Sequence, residues 1–172
     1  PEALEVNTLG SIRRRVATVG DIDIAVATNE PKKVINYFKN YSQIKEIIAS
    51  GSNTVRVILK SSQQVDLKTQ KPAAYGAMLQ HFTGSKQHNI LLRTYAVEKG
   101  MSLSEYGIKK HGNLTEYDSE EEFYKAIGLP YIEPELRGGT DEIDLAKHHK
   151  LPEIVKLSDI KGDLQMHTTF SD

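Results

Sequence analysis

Asp21 and Asp23 flank a single isoleucine in the run Gly20-Asp21-Ile22-Asp23, and a third carboxylate, Asp66, stands between Val65 and Leu67. Residues two apart on a strand project from the same face, so Asp21 and Asp23 would lie side by side. Two ionised carboxylates so placed repel each other unless a cation sits between them. A pair of magnesium ions, or manganese in their stead, held about 3.5–4 Å apart would satisfy them. Such a pair clamps the attacking and leaving oxygens of a phosphoryl displacement. Asp66, arriving on a neighbouring strand, would join the ion nearer the attacking hydroxyl and help remove its proton. All three carboxylates are therefore expected to be both catalytic and metal-binding.

Upstream lies Gly10-Ser11-Ile12-Arg13-Arg14. Gly10 and Ser11 offer close backbone approach, an N–H and a hydroxyl, which a triphosphate can use. Arg14 adds charge-assisted hydrogen bonds to terminal phosphate oxygens. Each piece alone has a plainer reading, with Asp-x-Asp as a solvated strand edge and Gly-Ser as a turn. The conjunction with a third isolated Asp on an apolar strand points to a site.

The elements that must position these groups follow from periodicity. Ile22, Ile24 and Val26 alternate with Asp21, Asp23 and Ala25, the period of a strand with one apolar and one polar face. Glu30-Pro31 opens a helix with Val34, Ile35 and Phe38 on one side, Pro fitting its first turn. Val55, Val57 and Leu59 mark a second strand, and Gln63 to Lys68 a third. Lys71 to Gln80 reads as a helix broken at Phe82-Thr83-Gly84-Ser85. Ser85 caps a longer helix that carries Leu91, Leu92, Tyr95 and Ala96 and is closed by Gly100. Ser119 with Glu122 forms a capping-box pattern ahead of Phe123 and Ile127. From Glu133 to Ile160 the chain is polar and punctuated by Pro134, Gly138-Gly139 and Pro152, and reads as a tether. His148-His149 within it reads as a solvated pair.

With 172 residues and 38% hydrophobic content the chain can bury a core for one domain with a satellite subdomain. It has no Cys, which excludes a disulfide framework and a thiolate zinc site. No apolar run approaches the ~20 residues of a membrane span, and no signal peptide opens the chain. The expectation is a soluble, cytoplasmic protein without a membrane partner. Lys and Arg number 22 against 23 Asp and Glu, a net charge of −1. Nucleic-acid binders often show a basic surplus, but carboxylates kept for metals lower the balance.

The run GSIRRRVATVGDIDI resembles the palm motif of family X DNA polymerases, the polymerase beta group, without a gap. The resemblance continues through VDL to HFTGSKQHNILLR, VEKGMSLSEYGI and EEEFYKAIGLPYIEPELR, and covers residues 8–137. It implies an α+β fold: a nucleotidyltransferase palm with a mixed β-sheet flanked by helices, followed by a small, mainly helical subdomain. The implied boundaries are palm 1–81, nucleotide-selection subdomain 82–137 and linker 138–161. Residues matching Asp21, Asp23 and Asp66 hold the metals in that family, and those matching Gly10, Ser11, Arg14 and Gly20 serve the triphosphate. Phe82 and Gly84 match the segment beside the incoming sugar. Asn89 matches a contact to the incoming base edge, and Arg93 a contact on the template side. Their i, i+4 spacing puts both on one helix face. His81 and Lys86 depart from polymerase beta, which has Tyr and Asp there.

The implied activity is two-metal transfer of a nucleotide from a deoxynucleoside triphosphate to a primer 3′-hydroxyl on primer-template or gapped DNA, as in gap-filling repair. A template-independent or small-molecule nucleotidyltransferase of the same superfamily, or a non-catalytic module, are the competing readings. Asn89 and Arg93, placed to inspect a base pair, favour the first. The segment 162–172 resembles the start of a PHP domain, the phosphoesterase module found behind many bacterial members. There Gln165 stands where the first metal-binding His is expected, leaving His167 and Asp163 without a complete site. The chain is read as an excised piece of a longer protein.

Overall fold

A computed structural model describes residues 2–162. The region 163–172, with Asp163, Gln165 and His167, lies outside the described residues.

Five strands form the first sheet, in the order β1-β2-β5-β4-β3. They are β1 (Glu5–Thr8), β2 (Ile22–Ala27), β3 (Ile44–Ser50), β4 (Thr54–Leu59) and β5 (Gln64–Gln70). β2 and β5 run parallel, and the other pairs are antiparallel. The sheet is mixed and flanked by helices, as the resemblance implied. Alternation along β2 explains how. Ile22, Ile24 and Val26 pack with Val34, Ile35 and Phe38 of α2 (Pro31–Lys39). Ala25 and Ala27 face the other way and meet Tyr75, Met78 and Leu79 of α3 (Tyr75–Thr83), with Leu9 beside them. Each large apolar side chain so buried contributes about 1.5–3 kcal/mol. The small alanines leave room for α3 to lie close.

Helix α3 joins two cores. Its Ala77 belongs to the second hydrophobic cluster, with Leu92 and Ala96 of α4 (Lys86–Glu98) and Phe123 and Tyr124 of α5 (Glu120–Ala126). A Cβ on Gly76 would lie 2.2 Å from the Ser119 carbonyl carbon, so only glycine allows this crossing. Both serine caps form: Ser85 accepts from the His88 N–H at 3.2 Å, and Ser119 from the Glu122 N–H at 3.4 Å. Gly100, at φ +69°, ends the turn after α4.

Two features depart from the sequence reading. The second subdomain contains a three-stranded antiparallel sheet, β6 (Met101–Ser104), β7 (Gly107–Lys110) and β8 (Asn113–Thr115), which the sequence reading did not contain. The region read as a linker is, in its first half, packed structure. Helix α6 (Glu142–Lys147) buries Ile143 and Ala146 in the second core. Arg137 is fully buried and Glu142 nearly so. The polar composition misled because these charges are paired inside. His148 and His149 are exposed, as expected for a solvated pair.

Candidate active site

Asp23 and Asp66 lie on the α3 face of the sheet. Val65 and Leu67 turn into the α2 core, so Asp66 between them points the opposite way. Register then sets Asp23 directly beside Asp66 across the parallel β2–β5 pair. Asp21 sits one residue before β2 begins. The short helix α1 (Gly10–Arg13) is pinned over β2 by the Leu9 N–H, which donates to the Asp23 carbonyl at 2.9 Å. Gly10 has φ +54°, and a Cβ there would meet Asp23 Oδ2 at 2.6 Å. Both its backbone angle and its closeness to the carboxylate demand glycine.

Cations surround these acids. Arg56, directly opposite Asp66 on β4, donates to it through Nε at 2.8 and 3.0 Å and through Nη2 at 2.6 Å. Gln64 Nε2 adds a bond at 3.1 Å. Lys68 Nζ lies between the two carboxylates, 3.0 Å from Asp23 Oδ1 and 3.8 Å from Asp66 Oδ2. Burial pushes Asp66 upward, but Arg56, Lys68 and Gln64 outweigh it and hold its carboxyl below the usual range. Arg56 and Lys68 escaped the sequence reading. Lys68 carries a signal, since it stands two residues beyond Asp66 and shares its face, whereas Arg56 is visible only once the β4–β5 register is known.

Among the described residues no three His, Asp or Glu groups converge closely enough to hold a metal ion. The donor set nevertheless fits one. Hard carboxylate oxygens suit magnesium, and the Lys68 ammonium already bridges Asp23 and Asp66 as a positive charge would. A hollow of about 310 Å³ bordered by Arg56, Asp66 and Lys68 opens beside them. A roomier one of about 570 Å³, between Tyr131 and the 149–159 segment, stands apart from the acids.

The phosphate-type and nucleotide-type residues converge from the other side. Arg14 Nη1 donates to the Thr83 carbonyl, and a Cβ on Gly84 would lie 3.2 Å from that nitrogen. Burial lowers the Arg14 pKa, Arg137 adds to that effect, and Asp23 opposes it. Lys68 Nζ lies 5.0 Å from the centre of the Phe82 ring, tying the carboxylates to the Phe82-Gly84 segment. His81 stacks edge-on against Phe82 at 4.7 Å. Asn89 Nδ2 donates to the His81 carbonyl at 2.7 Å, and Arg93 Nη2 lies 3.4 Å from His81 Nδ1. Asn89 and Arg93, four residues apart on α4, both contact His81. Gly20 is exposed with open space around it, and Ser11 is half-buried.

A buried network fastens this assembly to the second core. Glu120 accepts from Arg13 Nη2 at 2.5 Å and from Arg137 Nη1 at 2.7 Å. Arg137 also faces the rings of Tyr124 and Tyr131 at 5.2 and 5.5 Å. Nearby, His88 Nδ1 lies 2.7 Å from Glu142 Oε1, and Nε2 lies 2.9 Å from the Tyr124 hydroxyl. Burial lowers the His88 pKa more than Glu142 raises it. His88 is therefore neutral, donating from Nδ1 to the carboxylate and accepting from Tyr124 at Nε2.

The family described as DNA polymerase beta thumb matches residues 78–138. The DNA polymerase/3′-5′ exonuclease PolX of Bacillus subtilis is 39% identical over 173 residues, covering 98% of this chain and 30% of the relative. DNA polymerase lambda of Rattus norvegicus is 32% identical, over 74% of this chain and 28% of the relative. DNA polymerase IV of Saccharomyces cerevisiae is 37% identical over 62 residues, 36% of this chain and 11% of the relative. The chain thus spans less than a third of the length of these curated relatives. No described helix is long and apolar enough to cross a membrane. In the match of residues 78–138 to that thumb family and in its likeness to these enzymes, the chain is similar to the family X DNA polymerases.

Proposed function

We propose that this chain forms the catalytic core of a DNA-directed DNA polymerase that adds a deoxynucleotide to a primer 3′-hydroxyl, as in gap filling during repair. The observation that carries the reading is the placement of Asp23 beside Asp66, with Gly10 pressed against the Asp23 carboxylate. Asp21, Asp23 and Asp66 are the residues that would hold magnesium or manganese. Those ions would supply Lewis-acid stabilisation of phosphoryl oxygens and a more acidic primer hydroxyl.

The chain's own groups do the rest. Gly10 and Ser11 give the triphosphate a close backbone approach and a hydroxyl, and Arg14 gives it a planar cation. For Asp66 to serve as a ligand, Arg56 and Lys68 must release it. Phe82 and Gly84 border the sugar. Asn89 and Arg93, gathered at His81, inspect the nascent base pair.

Templating separates this reading from a template-independent transferase. A helix that checks pair geometry makes its full contact only with a correct pair in the transition state. Arg93→Ala in the full-length protein should therefore narrow the ratio of correct to incorrect kcat/KM on gapped DNA, measured one nucleotide at a time opposite each template base. An unchanged ratio, or equal slowing of every nucleotide, would remove the case for templated synthesis.

A further inference from the structure

We propose that the outer face of α2, with the α2–β3 and β4–β5 turns beside it, binds a single strand of DNA apart from the candidate active site. The choice of DNA rests on the polymerase reading; the surface itself does not.

Charge points there first. Residues 31–63 hold six Lys and Arg against one acid, Glu46, while the rest of the chain holds 16 against 22. A protein of net charge −1 thus gathers its basic surplus in one segment. Such a patch is the electrostatic footprint of a nucleic-acid surface. Arg56 is engaged by Asp66, and Lys33 by Glu30 at 3.2 Å. Among the described residues Lys32, Lys39, Lys45 and Lys60 pair with no carboxylate, and all but the half-buried Lys39 are exposed.

The fold brings these groups together. Helix α2 turns Val34, Ile35 and Phe38 onto the sheet, which leaves Lys32, Lys33, Asn36, Tyr37 and Asn40 outward. Tyr37 is 69% exposed and Tyr41, one turn on, 52%, so the core uses neither ring. The Ile44 N–H donates to the Tyr41 carbonyl at 3.0 Å, and the Lys60 N–H to the Gln43 carbonyl at 2.8 Å. Those bonds set the β4–β5 turn against the end of α2 and place Lys45 and Lys60 near Tyr41. Asp23 and Asp66 lie on the opposite face of the sheet, so this surface is separate from theirs. Its Lys60 end adjoins β5, the strand of Asp66. A strand leaving the site can cross that rim onto α2.

Lysines alone would suit any polyanion. The two rings among them select: exposed aromatic faces stack on unpaired bases while the ammonium groups follow the phosphates. A duplex keeps its bases inside, and an acidic protein segment has none to stack.

The test is fluorescence anisotropy of labelled oligothymidylate of about 15 nucleotides, titrated with the 172-residue chain without metal or nucleotide, so that the outcome does not depend on catalysis. Tyr37→Ala with Tyr41→Ala should weaken binding by about 25-fold or more, each stacked base being worth about 5-fold or more. Tyr37→Phe with Tyr41→Phe keeps both rings and should stay within about 2-fold of wild type. Lys32→Gln, Lys45→Gln and Lys60→Gln together should lower the slope of log Kd against log salt by about 2, at about 0.7 for each phosphate contact. The chain has no Trp, so Tyr37→Trp supplies a lone reporter whose emission the stacked bases should quench. Blunt duplex of equal length should bind wild type and the alanine variant alike, and circular dichroism melts of the two should coincide. Absence of oligothymidylate binding at low salt, an alanine variant with wild-type Kd, or equal loss on duplex and single strand would each overturn the proposal. Tighter binding of polyglutamate than of oligothymidylate would make this a surface for acidic proteins and overturn it too. Binding of oligouridylate without oligothymidylate would overturn DNA as the partner, leaving the polymerase reading to its own test.

Discussion

Removing the Glu120 carboxylate should be among the most damaging single changes outside the metal-type acids. Glu120 is 3% exposed and its two oxygens hold Arg137, wholly buried, and Arg13, 17% exposed. In Glu120→Ala the Arg137 guanidinium stays inside with one bond to the Ile132 carbonyl and no carboxylate partner. Its Nη2 already lacks a hydrogen-bond partner among the described residues. Breaking a buried pair from one side costs about 3–5 kcal/mol, because the remaining charge is uncompensated. For a chain of this size each kcal/mol lowers Tm by about 2–4 °C, so the expected fall is about 6–20 °C. Circular dichroism melts at neutral pH would read it. Arg13→Ala should cost less, since Glu120 keeps Arg137. Replacing both buried partners, Glu120→Leu with Arg137→Met, should recover much of the loss. A Tm within about 2 °C of wild type for Glu120→Ala, or a double variant no better than the single, would refute this account of the network.

Two further outcomes follow from the site and the second core. Arg14→Ala should raise KM for the triphosphate by about 10- to 150-fold, the worth of a charge-assisted contact of about 1.5–3 kcal/mol, as steady-state kinetics on gapped DNA would show; unchanged KM would return Arg14 to a purely structural tie to Thr83. Stability should fall as pH drops from 7 to 5, because burial holds His88, and likewise His81, below the ordinary value of 6.5. Below 6.5 the unfolded chain takes up protons that the folded one refuses, so the folded state loses ground. Glu142, held low by His88 and the Thr140 N–H against its burial, stays ionised across that window and contributes its own loss only at more acid pH. His88→Gln should shrink the difference in Tm between pH 7 and pH 5, and an undiminished difference would show that His88 does not titrate on unfolding.

The parts of the fold legible in the sequence were those whose residues repeat a period. β2 and β4 showed alternation, α2 its apolar face with Pro31, and Ser85 and Ser119 their caps. β1 and β3 escaped because they are the edges of the sheet, largely exposed, and β3 is broken by two register shifts that erase alternation. In β6, Met101 and Leu103 do alternate with serines, but four residues are too short a run to read. Arg137, Glu120 and Glu142 look like surface charges in sequence, and only their partners put them inside: Arg137 pairs with Glu120, and Glu142 with His88 and the Thr140 N–H. The same holds at the site. Spacing alone suggested the Asp21 and Asp23 pair and the shared face of Asn89 and Arg93. Lys68 carries a local signal in its spacing from Asp66, but Arg56 on Asp66 and the Gln80 bond to Asn89 depend on register and helix packing, which no local pattern encodes.

The central claim is that Asp21, Asp23 and Asp66 act together on a metal-bound nucleotide. Its most direct test is Asp23→Asn in the full-length protein, assayed for single-nucleotide insertion into gapped DNA with magnesium and checked for folding by circular dichroism. The side chain keeps its size and its place on β2 beside Asp66, but loses the charge that a cation requires. The account predicts an intact fold and no detectable insertion. Near-normal turnover by a folded Asp23→Asn protein would contradict it.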